Sequence, residues 1–106
     1  MEQVDLVYQV IVAPAANDRM AEHLEFLARV SEYAASKLLD ELIADIDSLH
    51  SSPLRNPMFN RPHLPSGKYR YMISGKRYRI VYQVEGDIVY VDDIQDCRQD
   101  DDKNIL

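Results

Sequence analysis

The chain has 106 residues, 46% of them hydrophobic, and a formal net charge of −6. That length fits one domain with one core, and the apolar content excludes wholesale disorder. It has no apolar run near the ~20 residues of a membrane span; residues 1–5 are acidic, so a signal peptide, which opens with basic residues, is not expected; and a single cysteine, Cys97, gives neither a disulfide framework nor a cysteine zinc cluster.

Residues 6–13 are rich in β-branched and aromatic types and read as a strand with both faces largely buried. Pro14 ends it, and a helix is expected to start near Asn17 or Asp18. Ala16, Met20, His23, Leu27 and Val30 share an arc on a 3.6-residue wheel, with His23 as a core histidine. The phase breaks at Ser31. A second helix follows, with Ala35, Leu38, Leu39, Leu42, Ile46 and Leu49 in one core-facing stripe, and Pro53 stops it.

Residues 53–66 hold four prolines and no regular period, so an ordered loop or arm is expected. The pattern then changes to period two. Strands are expected at 68–73, 77–84 and 88–94, joined by Ser74-Gly75-Lys76 and Glu85-Gly86-Asp87. Residues 95–106 read as a polar C-terminal tail. The order β-α-α-β-β-β predicts an α+β domain: a two-helix hairpin packed on one face of a mainly antiparallel sheet, with the other face partly open.

Charge is segregated along this order. Residues 1–50 carry 3 basic and 10 acidic side chains, residues 51–84 carry 7 basic and none acidic, and residues 85–106 carry 2 basic and 8 acidic. The acidic total argues against a generic nucleic-acid binder. The segregation fits either a positive surface for phosphates or an acidic partner, or a basic hairpin paired with the chain's own acidic helices. Alternation puts Arg77 and Arg79 on one face of their strand and Lys68 and Arg70 on one face of theirs. If the hairpin aligns those faces, Arg70, Arg77 and Arg79 form a guanidinium cluster able to hold phosphate oxygens. Lys68, Lys76 and Arg77 would add charge, and Tyr71 a ring on which bases could stack. His63 is the candidate proton shuttle. The aspartates of 92–102 do not form a metal pattern, because alternation separates Asp92 from Asp93 and the tail lacks loop-closing glycines.

The block from Tyr69 to Val84, and within it Tyr78-Arg79-Ile80-Val81-Tyr82-Gln83-Val84, resembles the strand signature of the RelE/ParE toxin superfamily, a group of type II toxin–antitoxin and plasmid-stabilisation proteins. Asp96-Cys97-Arg98-Gln99-Asp100 is similar to the ending of some members, and the opening strand, paired helices and following proline keep the family's order. The resemblance implies one toxin domain over 1–106 with a microbial-ribonuclease-like fold. It implies a cytoplasmic growth inhibitor held in check by a cognate antitoxin, with no cofactor, metal or membrane, and leaves monomer and homodimer open. The leading expectation is the activity of the RelE branch, which cleaves messenger RNA on the ribosome by 2′-hydroxyl attack; the alternatives are the ParE branch, which inhibits DNA gyrase without cutting, and a member that retains only a partner-binding surface. For cleavage the resemblance assigns charge stabilisation to Arg79, Arg70 and Arg98, with His63 left for proton transfer. Met72 stands where the ribonuclease branch has a second strand lysine, and no tyrosine follows Arg98.

Overall fold

The computed structural model describes residues 7–98. Its elements run β1 (Gln9–Val12), α1 (Pro14–Ala28), α2 (Glu32–Ser48), a 3₁₀ turn (Pro53–Arg55), β2 (Tyr69–Ser74), β3 (Tyr78–Glu85) and β4 (Ile88–Asp96). Among them no helix is long and apolar enough to cross a membrane.

The strands form one mixed sheet in the order β1-β4-β3-β2. β1 joins as an edge strand parallel to β4, with Val10 opposite Val89, and the other pairs are antiparallel. As an edge strand, β1 is not buried on both faces: Gln9 and Ile11 are exposed, while Val10 and Val12 pack against the core. At its start, the Tyr8 N–H donates to the His50 carbonyl at 2.8 Å, and His50 Nδ1 donates back to the Tyr8 carbonyl at 2.7 Å.

α1 begins at Pro14, ahead of the expected start at Asn17 or Asp18. Proline fits a first helical position because the N–H it lacks would have no partner there. Ala16 and His23 are buried and Met20 and Leu27 pack against the core, but Val30 lies past the helix end and is 79% exposed. The His23 Nε2–H donates to the Ile94 carbonyl at 2.7 Å and ties α1 to β4. α2 starts where the phase breaks: the Ser31 hydroxyl accepts from the Ala34 N–H at 3.1 Å and caps the helix. Ala35 in its stripe is buried, and Leu38, Leu42 and Leu49 pack with Tyr78, Ile80, Tyr82, Val89, Val91 and Ile94 of the sheet.

The other face is only half open. The arm after the 3₁₀ turn runs beside β2: the Phe59 N–H donates to the Tyr69 carbonyl at 2.7 Å and the Tyr71 N–H to the Pro57 carbonyl at 3.1 Å. This lays Phe59 and Leu64 on Tyr69, Tyr71 and Val81 as a second, smaller core. Gln95 and Asp96, expected in the tail, are instead the buried end of β4. Their backbone groups pair with β3, and pairing outweighs side-chain polarity. The remaining tail, 99–106, lies outside the described residues.

Candidate functional site

Two features of the ladders decide which side chains meet. The first is the β2–β3 loop. Ser74 pairs with Tyr78, so three residues intervene, with Gly75 and Lys76 at φ 58° and 71°. An odd loop length makes even-numbered residues face even-numbered ones. Arg70 therefore stands opposite Tyr82, and Arg79 stands opposite Ile73.

The expected cluster of Arg70, Arg77 and Arg79 is not formed. Arg70 shares the helix-side face with Tyr82, where its Nη1 donates to the Asn56 carbonyl at 2.7 Å. Arg79 alone of the three lies on the face away from the helices. Arg77 belongs to the loop, not the strand, and its Nη2 donates to the Tyr78 hydroxyl at 3.1 Å. With Lys76, Lys37, Tyr33 and Glu41 it rims a groove of ≈ 490 Å³ floored by Leu27 and Leu38.

The second feature is a bulge in β4. Val81 pairs with Asp93 and Tyr82 with Val91, which leaves Asp92 as an extra residue. The bulge reverses the alternation, so Asp93 and Gln95 join Val81 and Arg79 on the half-open face, while Val91 and Ile94 both keep to the core. The Asp92 carboxyl is raised above its ordinary value by burial, against the pull of a 2.6 Å hydrogen bond from Gln83 Nε2.

On this face Arg79 is held on two sides. Its Nε and Nη2 both donate to Gln95 Oε1, the first at 2.9 Å. Its guanidinium carbon lies 4.9 Å from the centre of the Phe59 ring. Arg61 lies over the same ring at 4.3 Å, and Tyr71 meets it edge-on at 5.9 Å. Phe59 is only 2% exposed, so both cations lie over a buried ring. Met58, Asn60 and Ile73 complete the rim of a depression of ≈ 400 Å³. Two guanidinium groups beside apolar walls can hold a carboxylate or phosphate oxygen.

The remaining candidates stand apart. Arg98 forks onto Asp96, with Nη2 to Oδ2 at 3.0 Å and Nε to Oδ1 at 3.2 Å. Burial alone would raise the Asp96 carboxyl, but these bonds and one from the Arg98 backbone outweigh it and hold it below the ordinary value. His63 is exposed and makes no hydrogen bond or ion pair among the described residues. Lys68 is exposed, with its ammonium 5.3 Å from the centre of the Tyr69 ring. Sequence reasoning passed over Phe59 and Gln95. The available signal was Phe59 itself, the one aromatic in a proline-rich arm, which had to be buried somewhere.

A family model described as the ParE toxin of the type II toxin–antitoxin system, parDE, matches residues 10–101. The structure is similar to a solved chain described as "Chromosomal ParDE TA system from P. aeruginosa", with TM-score 0.68 and 12% identity over 85% of this chain and 96% of that one. At that identity the likeness shows the fold alone. No curated protein matches the chain.

Proposed function

The chain belongs to the ParE toxin family of type II toxin–antitoxin systems, and on that premise we propose that it arrests growth by binding DNA gyrase, not by cutting RNA. A cognate antitoxin holds it in check. The observation that supports binding over cleavage is the separation of Arg70 from Arg79 on opposite faces of one sheet. Metal-independent cleavage needs charge stabilisation and proton transfer within hydrogen-bond reach of one phosphate. Side chains divided by a sheet do not converge on one atom by any small closure. Arg98 is also neutralised by Asp96, and His63 stands free of every candidate arginine. The contact surface in this reading is the Arg61–Phe59–Arg79 stack, which suits a carboxylate on the target.

The test pairs two assays on purified protein. Inhibition of gyrase supercoiling is expected, and its loss in Arg79→Ala and in Arg61→Glu. Translating ribosomes treated with the protein should keep their messenger RNA whole. Messenger RNA cut on the ribosome, with supercoiling untouched, would overturn the proposal in favour of the RelE-type reading. Activity in neither assay would leave only the partner-binding role.

A further inference from the structure

Arg79 is the end of a chain of contacts that crosses the sheet. Arg19 of α1 pairs with Asp93, Nη1 to Oδ1 at 3.6 Å, and the two side chains are 14% and 4% exposed. Asp93 Oδ2 accepts from Gln95 Nε2 at 3.1 Å. Gln95 Oε1 then accepts from Arg79. Gln95 is fully buried, between a carboxylate and a guanidinium.

A glutamine amide has two nearly equivalent orientations, and its surroundings must choose between them. An ionised carboxylate only accepts, so Asp93 draws the NH₂ end of Gln95 toward itself. The oxygen is thereby aimed at Arg79. With the amide reversed, NH₂ would face guanidinium and oxygen would face carboxylate, two unpaired clashes in a buried place. Arg19 lies beside that carboxylate and offsets its burial.

We propose that Gln95 is a positioning residue for Arg79 and that Asp93, backed by Arg19, sets which way its amide points. The proposal rests on the reading that Arg79 contacts the target. Fixed through Nε and Nη2, and with its central carbon over the Phe59 ring, the guanidinium keeps Nη1 outside the clamp. A guanidinium held in this way loses less freedom when the target binds.

The experiment has a spectroscopic arm and a growth arm, on the full chain. In ¹⁵N NMR the Arg79 Nε–H should give a resolved, slowly exchanging signal. Gln95→Met should abolish it and Asp93→Leu weaken it, while the backbone spectrum reports that the fold persists. The double variant Asp93→Asn with Gln95→Glu moves the carboxylate next to Arg79 and keeps the total charge. It should restore the signal. In titrated induction, Gln95→Met should need about 10- to 100-fold more protein for growth arrest, by analogy with loss of an outer partner that orients a metal ligand. The double variant should recover most of this, which a structural role for Gln95 would not predict.

An unchanged Nε–H signal in Gln95→Met would overturn the proposal. So would full potency in Gln95→Met when Arg79→Ala abolishes arrest. Growth arrest does not depend on the target being gyrase, so a failed supercoiling assay sinks that reading alone. If Arg79→Ala leaves arrest intact, the positioning role falls with it, whatever the clamp signal does.

Discussion

Arg79 stands opposite Ile73 across the β2–β3 ladder, and Ile73 is 48% exposed at the rim of the depression that Arg79 lines. This one pairing commits Arg79 to the half-open face and leaves Arg70, three residues before Ile73, on the other. A functional surface built from the strand arginines therefore has one member from β3 and recruits its second, Arg61, from the arm.

The loop that sets this register depends on Gly75. A Cβ there would lie 2.6 Å from Leu38 Cδ1, and the residue sits at φ +58°. Leu38 is buried in the core and would have to turn within it. Gly75→Ala is expected to cost roughly 2 kcal/mol, from left-handed backbone strain plus overpacking. Urea unfolding monitored by circular dichroism reads this as a lower midpoint with an unchanged slope.

The arm is tied down by a hydroxyl. Tyr82 donates to the Pro53 carbonyl and accepts from Asn56 Nδ2 at 3.0 Å. Tyr82→Phe should cost about 1–3 kcal/mol by leaving buried partners unpaired. Burial also raises the Tyr82 phenol above its ordinary value of 10.0. A raised acid favours the protonated fold, so its contribution is complete below pH 10 and fades as pH climbs through the folded value. Alkaline unfolding should therefore be less steep in Tyr82→Phe than in the wild type.

Asp92 behaves in the same sense at the acid end. Its carboxyl is raised by burial, so the folded chain prefers it protonated and loses stability as pH rises through that value. Asp92→Asn is expected to raise the thermal midpoint at pH 7 and leave it nearly unchanged at pH 3. A midpoint that falls at pH 7 would show that the Gln83 hydrogen bond to the charged form outweighs burial.

Asp96 runs the opposite way. Its folded carboxyl is lowered, so the stability it contributes is present above the ordinary value of 3.8 and is lost as pH falls through the folded value. Arg98→Ala removes the two side-chain bonds and leaves the backbone one, so the Asp96 carboxyl should titrate higher than in the wild type. Side-chain carboxyl ¹³C titration of the two proteins measures the change directly.

Local pattern carried much of this protein. The stripe from Ala35 to Leu49, the Ser31 break, the core position of His23 and the run of three C-terminal strands all follow from periods of 3.6 and 2, which a short window contains. The basic block at 51–84 and the family resemblance were equally legible. The arrangement of the site was not. Whether Arg70 joins Arg79 turns on one residue of loop length between Ser74 and Tyr78. Whether Asp93 and Gln95 reach Arg79 turns on one extra residue at Asp92. A shift of one residue carries every following side chain to the other face. The choice is made by non-local pairing and by what each face must bury, so it belongs to the tertiary structure. The same holds for Phe59: its sequence neighbours are Met58, prolines and polar residues with no regular period, and only the folded arm lays its ring beneath Arg61 and Arg79.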